Sequence, residues 1–496
     1  MMPKHTQISV FQSYFQRISL TSIRLSNRQA TMMKGALLSR LIGLLAGIGL
    51  LAACQSVGAN AASAQAANQP PPFSASPPES AYRPLPRTDL LLTGATILDG
   101  DGGRFVGDIL LRDGQIISVG EDVEAAADVT RIDATGRWIT PGLIDIHTHY
   151  GTYLLPQAAE DVSDVTEDSD PNVADTWIEH AVRPADPAFS RALAGGVTTL
   201  QILPGSGALF GGRSVVVHPV PAVRLAEMRF PNAPQGLKMA CGSNPANSFG
   251  RRGLAPNSRQ GEIAAVRRAF IEAQRYRDEW ESGNGNRDLR LDTLVAAMNG
   301  DLPVHLHCYR AEDIATWIDV LAEFGVSLAA VHHATEAYKI APMLAERGVC
   351  AAVWPDWWGF KREAEDAIPE NAAFVDAAGG CAIMHSDIPL LGSLLNIEAA
   401  KAAAAGRRAG LDIPPEHAIR WITSNPARAM GLGDRIGRLA PGMNADIVLW
   451  SGDPFSIYSH ADIVLIDGAI AYDRADPGRQ PIPDFELGRP QREGIR

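Results

Sequence analysis

The sequence predicts an α/β protein: a TIM-like (β/α)8 barrel with a small composite β-sandwich domain formed by the N- and C-terminal flanks. Three observations predict it. Short apolar runs alternate with helix-period segments between residues 141 and 432. Strand-like stretches bracket that middle at 88–140 and 433–480. The histidines and acids of the middle collect where its strands end, which is where such a barrel carries its active site.

Taken in order, residues 1–53 come first, with Lys4, Arg17, Arg24, Arg28, Lys34 and Arg40 and no acid. The stretch "MMKGALLSRLIGLLAGIGLLAACQS" begins at Met32, the expected true start, and makes residues 1–31 an over-extended gene start. A basic opening, an apolar run over 41–53 and small residues describe a secretory signal. The run is short of the ~20 residues that a spanning helix needs, the competing reading. "LAAC" resembles a bacterial lipobox, which implies lipidation of Cys54 and anchorage on the periplasmic face of a membrane; Gln55 points to the outer membrane. Residues 54–87 are rich in Ala, Ser, Pro and Gln and read as a disordered tether, with a reach on the order of 30 Å.

From Asp89, "DLLLTGATILDG", "GDILLRDGQIISVG" and "TRIDATGRWITPG" alternate apolar runs with Gly and Asp turns. The pattern returns in "IGRLAPGMNADIVLWSGDP" and "ADIVLIDGAIAYD", and 481–496 is a tail. The middle predicts strands at 143–149, 197–203, 214–218, 236–241, 303–308, 328–333, 349–354 and 381–385. Helices are predicted at 261–281, 311–324, 336–347, 392–405 and 424–431. Eight strand slots suit one parallel barrel.

The 496-residue chain carries a net charge of −12, and loss of the basic leader leaves 38 basic against 56 acidic residues. A nucleic-acid partner is excluded, because phosphate binding needs a basic face. The partners that remain are a small-molecule or short-peptide substrate, a membrane surface through the anchor, and further copies of the chain. Cys241, Cys308, Cys350 and Cys381 lie in or beside apolar runs far apart in sequence. They are expected as buried thiols, and no CxxC spacing suggests a cysteine metal site.

In "PGLIDIHTHYG", His147 and His149 end the first barrel strand. Residues i and i+2 of a strand share a face, so both imidazoles can converge on one ion while Thr148 points away. His305 and His307 end strand five, His332 and His333 end strand six, and Asp387 follows strand eight.

These segments, with "GGVTTLQ", "HLHCYR", "HHATEAYK", "HSDIP", "SNPARAMGL" and "GRLAPGMNADIVLW", resemble the amidohydrolase superfamily over roughly residues 88–475, nearest its imidazolonepropionase-like branch. The resemblance implies metal ligands at His147, His149, His307, His333 and Asp387, with Asp387 also the catalytic base. It implies one or two divalent ions per chain, zinc expected. A carboxylated lysine or a Glu often bridges two ions in such enzymes, and "GLKMACG" offers Lys238, carboxylated by CO2 if the site is binuclear. His305, His332, His218 and His385 read as supporting or structural.

Substrate signals are thinner. "WPDWWGFK" puts Trp354, Trp357 and Trp358 near the mouth, lining a binding site or packing the loop. Arg310 and Tyr338 follow strand ends and could hold a carboxylate or carbonyl. Arg251 and Arg252 read as a solvated loop. The expected function is hydrolysis of an amide, cyclic amide or dipeptide C–N bond by metal-activated water. A deaminase on the same barrel and a catalytically silent binding lipoprotein are the alternatives.

Overall fold

Five strands open the chain: β1 (Leu90–Leu98), β2 (Arg104–Arg112), β3 (Gln115–Gly120), β4 (Thr130–Asp133) and β5 (Trp138–Pro141). Nine follow: β6 (Leu143–Thr148), β7 (Val197–Ile202), β8 (Phe210–Arg213), β9 (Val215–Val217), β10 (Leu237–Ala240), β11 (Val304–Cys308), β12 (Leu328–His333), β13 (Cys350–Val353) and β14 (Ala382–Met384). The last are β15 (Ile447–Trp450), β16 (Ala461–Ile466) and β17 (Ala469–Asp473). The structure, a computed structural model, describes residues 79–153, 164–283 and 285–480. The expected signal segment with Cys54, most of the tether and the tail lie outside the described residues.

The two β-rich flanks meet in one eight-stranded sheet, ordered β17-β16-β15-β5-β1-β2-β3 with β4 beside β1. The join is antiparallel, from Ile447 opposite Pro141 to Trp450 opposite Trp138. Trp450 is buried at this seam, and its indole N–H donates to Thr140 Oγ1 at 2.9 Å. Leu92, Ile97, Ile109, Ile139, Ile447 and Leu449 fill the core of this sheet.

The middle strands form a six-stranded sheet, β14-β13-β12-β11-β10-β8, and a three-stranded one, β6-β7-β9. Strands β10 to β14 pair in parallel, as do β6 and β7. Every residue of β6 and β7 is buried, as expected of strands covered on both faces. The expected all-parallel unit is corrected at one segment. Residues 210–217, interrupted at Ser214, run antiparallel to both neighbours: β8 pairs with β10, and β9 pairs with β7. The other end closes in on β6, where the Asp387 N–H donates to the His147 carbonyl at 2.9 Å.

Among the described residues, nine helices have six or more residues: α1 (Pro187–Ala194), α2 (Ser243–Gly250), α3 (Arg259–Glu281), α4 (Leu289–Met298), α5 (Ala311–Ala322), α6 (Ala341–Arg347), α7 (Asn371–Ala377), α8 (Leu395–Arg408) and α9 (Ser424–Ala429). In α3, Ser258 caps the start by accepting from Gly261 N at 3.3 Å. Val266, Ala269, Phe270, Ala273 and Tyr276 make its buried stripe. The sequence reading places α3, α5, α6, α8 and α9 and omits α1, α2, α4 and α7.

The expectation of four free thiols is overturned. Cys241 is bonded to Cys308, and Cys350 to Cys381. The reason is strand register. Ala240 lies opposite His307, so the next residues, Cys241 and Cys308, are neighbours with Cα atoms 5.2 Å apart. Ala351 lies opposite Ala382, which brings Cys350 and Cys381 to 4.5 Å one step earlier.

Candidate metal centre

The end of β6 and the turn after β14 build the first donor group. His147 Nε2 and His149 Nε2 are 3.2 Å apart, and Asp387 Oδ1 lies 3.3 Å from the first and 3.4 Å from the second. Thr148 faces away, its hydroxyl donating to the Gln201 carbonyl at 3.1 Å. His149 Nδ1 is held by the Leu203 carbonyl at 2.8 Å, which leaves Nε2 with its lone pair toward the centre. Asp387 sits at φ +64°, while His333 and Ala334 at the end of β12 sit at +71° and +29°. Non-glycine residues in this region cost about 1–3 kcal/mol each and collect at functional sites.

A second group contains His147, His333 and His385, whose donor atoms all lie within 4.8 Å of one another. His307 joins them, its ring 4.4 Å from that of His333. Both nitrogens of His307, both of His385 and Nδ1 of His333 are buried without a hydrogen-bond partner. Buried polar atoms are ordinarily satisfied. Five imidazoles and one carboxylate, with ring nitrogens left open, are the donor chemistry that zinc takes. The structure brings His385, expected as structural, into this group of donors. The signal was present: "HSD" has the same i, i+2 spacing as "HTH". His218 lies in neither group, and its Nδ1 donates to the Thr198 carbonyl at 2.8 Å.

Electrostatics keep the donors in ligating form. Burial holds His147, His307 and His333 well below the usual histidine range, and His385 at about 4, so the rings are neutral. Burial alone would raise Asp387, but the adjoining His149, together with His385 and Lys238, keeps it below the usual carboxylate range. Asp145 lies beneath, pushed up to about 7 by burial. Its Oδ1 accepts from His147 N and Ser386 N, which ties β6 to the turn after β14.

Lys238, on β10, is fully buried, and its Nζ donates to the Pro204 carbonyl at 2.8 Å. No ion pair joins it to an acid among the described residues, and burial lowers it to about 7.

The loop residues divide. Trp354 stacks on His333 at 4.4 Å and is covered by Trp357 at 4.5 Å, so this pair walls the centre. Trp358 is exposed, with its indole N–H on the Glu365 carbonyl. Arg310 turns to Glu365 and Glu312, and the Tyr338 hydroxyl to the Asp366 carbonyl, so neither is brought to the centre. Arg252 holds the Asp168 carbonyl at the surface. The sequence reading omitted Lys361, whose Nζ lies 3.7 Å from the Tyr309 ring centroid, pairs with Glu363 at 2.9 Å and, after burial, contributes most to lowering His307.

Similarity to known proteins runs over most of the chain. The amidohydrolase family profile matches residues 267–472. A crystal structure of an amidohydrolase from Thermotoga maritima superposes with a TM-score of 0.72 at 33% identity, covering 78% of this chain and all of that one. Amidohydrolase tasK of Hapsidospora irregularis is 32% identical over 402 residues, 74% of this chain, and the chain spans 40% of its length. The imidazolonepropionase of Stenotrophomonas maltophilia is 29% identical over 72% of this chain and 89% of its own. The chain belongs to the amidohydrolase family, on its imidazolonepropionase-like branch, and is a hydrolase of carbon–nitrogen bonds.

Proposed function

We propose that the chain hydrolyses an amide, cyclic amide or dipeptide bond of a small substrate with one or two divalent ions, zinc expected. The observation that carries this is the convergence of His147 Nε2, His149 Nε2 and Asp387 Oδ1 within 3.2–3.4 Å in a buried site. His307 and His333 complete the expected ligand set, and the open nitrogens of His385 make it a further donor. A bound divalent ion supplies hydroxide near neutral pH and polarises the scissile carbonyl. Asp387 takes the proton of the attacking water and returns it to the leaving nitrogen. Trp354 and Trp357 limit water on one side and favour a flat or apolar substituent.

Lys238 is the proposed bridge. A buried amine near neutrality has the free lone pair that adds to CO2, and loss of one N–H proton to solvent leaves an anion on a long stem. The scaffold proposed is a TIM-like barrel over 141–432, flanked by a composite sandwich from 88–140 and 433–480. Pairing of 210–217 with both middle sheets supports closure.

We also propose export and lipid anchorage at Cys54. The two disulfides support an oxidising compartment. Cys54→Ser should leave the membrane fraction; continued association without lipid on residue 54 would refute the anchor.

The test of function combines metal analysis of the purified chain with hydrolysis of N-acyl amino acids, dipeptides and cyclic amides, with and without chelator. Chelation should abolish turnover. Lys238→Ala should lose metal and activity, partly recovered by short carboxylic acids, and reconstitution should depend on bicarbonate. One tight ion, full activity in Lys238→Ala and ammonia release from amino-substituted rings would favour a deaminase.

A further inference from the structure

Behind the donor groups runs a line of buried polar side chains that the hydrolytic reading does not use. His147 Nδ1 meets His332 Nδ1 at 2.9 Å, and His332 Nε2 meets His305 Nδ1 at 3.0 Å. His305 Nε2 meets the Gln201 side-chain amide at 3.1 Å. That amide reaches Ser214 Oγ at 3.0 Å, and Ser214 Oγ accepts from Gly236 N at 2.8 Å. His147, His332, His305, Gln201 and Ser214 are all at most 1% exposed. The channel is shaped for the rings: a methyl group on Gly236 would lie 2.7 Å from the His305 ring.

Each neutral imidazole carries one proton on one of two nitrogens, and every link needs one donor and one acceptor. The whole line therefore has two proton arrangements. With the Gln201 amide nitrogen facing His305, it donates to His305 Nε2. His305 then donates from Nδ1 to His332 Nε2, and His332 donates from Nδ1 to His147 Nδ1. The proton of His147 is left on Nε2, the atom beside Asp387, and that nitrogen cannot ligate. With the amide reversed, every step inverts. His147 donates from Nδ1, His332 and His305 each donate from Nε2, and Gln201 Oε1 accepts. His147 Nε2 then presents a lone pair. Reversal also gives the Ser214 hydroxyl proton an acceptor in Gln201 Oε1, and it moves the amide nitrogen to the place where the oxygen is buried without a partner. Both arrangements contain the same protons, so no group changes charge.

We propose that Gln201 is a positioning residue: the orientation of its amide, transmitted through His305 and His332, sets whether His147 offers the metal a lone pair or a proton. Metal binding at His147 Nε2 and reversal of the Gln201 amide are then one coupled event. A ligating histidine is commonly oriented by one partner on its other nitrogen. Here that partner is itself held by a chain ending at Gln201, Ser214 and the Gly236 backbone.

The inference rests on His147 being a metal ligand, and the experiment separates the two claims. The full chain is labelled with 15N-histidine, and the tautomers of His147, His332 and His305 are read by NMR before and after addition of Zn2+ alone. Zn2+ affinity is measured by chelator competition in wild type, Gln201→Met and Gln201→Glu. The expected result is that the His332 and His305 protons move from Nδ1 to Nε2 when zinc binds. Gln201→Met should weaken zinc about 10–100-fold. Gln201→Glu, an acceptor in either orientation, should keep affinity within a few-fold and show the Nε2–H form of His305 before zinc is added. A merely structural Gln201 would let both variants weaken zinc and leave the His305 tautomer unmoved. Zinc bound tightly with an unchanged His305 tautomer would overturn the relay while leaving His147 a ligand. Failure of the wild-type chain to bind zinc would overturn both. The wild-type spectra need no variant and decide the matter even if Gln201→Met does not fold.

Discussion

Asp387→Asn tests the reaction chemistry with the least disturbance of the fold. The residue sits at φ +64°, a region that Asn tolerates as well as Asp. Its backbone N–H to the His147 carbonyl is untouched by the change. The amide has nearly the shape of the carboxylate, and its oxygen can still lie beside His147 and His149. The histidine donors remain, so metal should stay bound. What is lost is the capacity to accept a proton. A positioned general base contributes about 10²–10⁴ in rate, which corresponds to about 3–5.5 kcal/mol of barrier. We therefore expect kcat to fall about a thousandfold with KM within a few-fold, and with metal content and thermal midpoint close to wild type. Steady-state kinetics, metal analysis and a thermal melt on the same preparation read all four. Near-normal kcat would remove Asp387 from the base role. Loss of metal in proportion to activity would make it chiefly a ligand.

Three further outcomes concern the scaffold. Burial pushes Glu262 up from 4.5 to about 8. The folded state thus holds a proton that the unfolded chain releases, and stability falls as pH rises between those values; Glu262→Gln should make that slope less negative by up to about 1.4 kcal/mol per pH unit between pH 5 and 7 in urea melts, and an unchanged slope would refute the assignment. The Cys350–Cys381 bond closes a sequence separation of 31 residues, so replacing both by Ser should cost about 3–4 kcal/mol, and a non-reducing thiol assay that finds four free thiols would contradict both bonds. Gly212 sits at φ +102°, and a methyl group there would run into the Thr176 carbonyl, whereas one at Gly211 would meet nothing closer than 3.2 Å; Gly212→Ala should destabilise by about 2–4 kcal/mol and Gly211→Ala by much less, and equal melting points would refute the contrast.

What was legible in the sequence follows from which physical signals are local. Strands β6, β7 and β10 to β14 were readable because each is a short, mostly apolar run set off by Gly, Pro or polar residues. The long helix α3 was readable because its apolar positions recur with helical period over 23 residues. Helices α1 and α7, of eight and seven residues, are too short to show a period, and six of the eight residues of α2 are Ser, Asn, Pro or Gly. Strand β8, Phe-Gly-Gly-Arg, carries no strand pattern, and the direction of the strand expected at 214–218 was not readable, since a run of apolar residues has the same pattern in a parallel and an antiparallel strand. The disulfides were hidden for a related reason. Separations of 67 and 31 residues carry no hint that the cysteines lie on adjacent strands.

The same limit explains why His305 and His332 could be named as supporting residues only through the resemblance, while the line that joins them to Gln201 and Ser214 was not legible. The i, i+2 rule assigns residues to a face, and by that rule His305 and His307 are equivalent. Depth separates them, since two residues along a strand are about 6.6 Å apart. His305 lies opposite Lys238 on β10, one layer below His307, which lies opposite Ala240. At the lower level His305 reaches His332 and Gln201; at the upper level His307 lies against His333 with both nitrogens open. A donor and a relay member are thus the same residue type on the same face of the same strand. Register decides between them, and register is a property of two strands together. It can be read only once β10, β11 and β12 are aligned side by side.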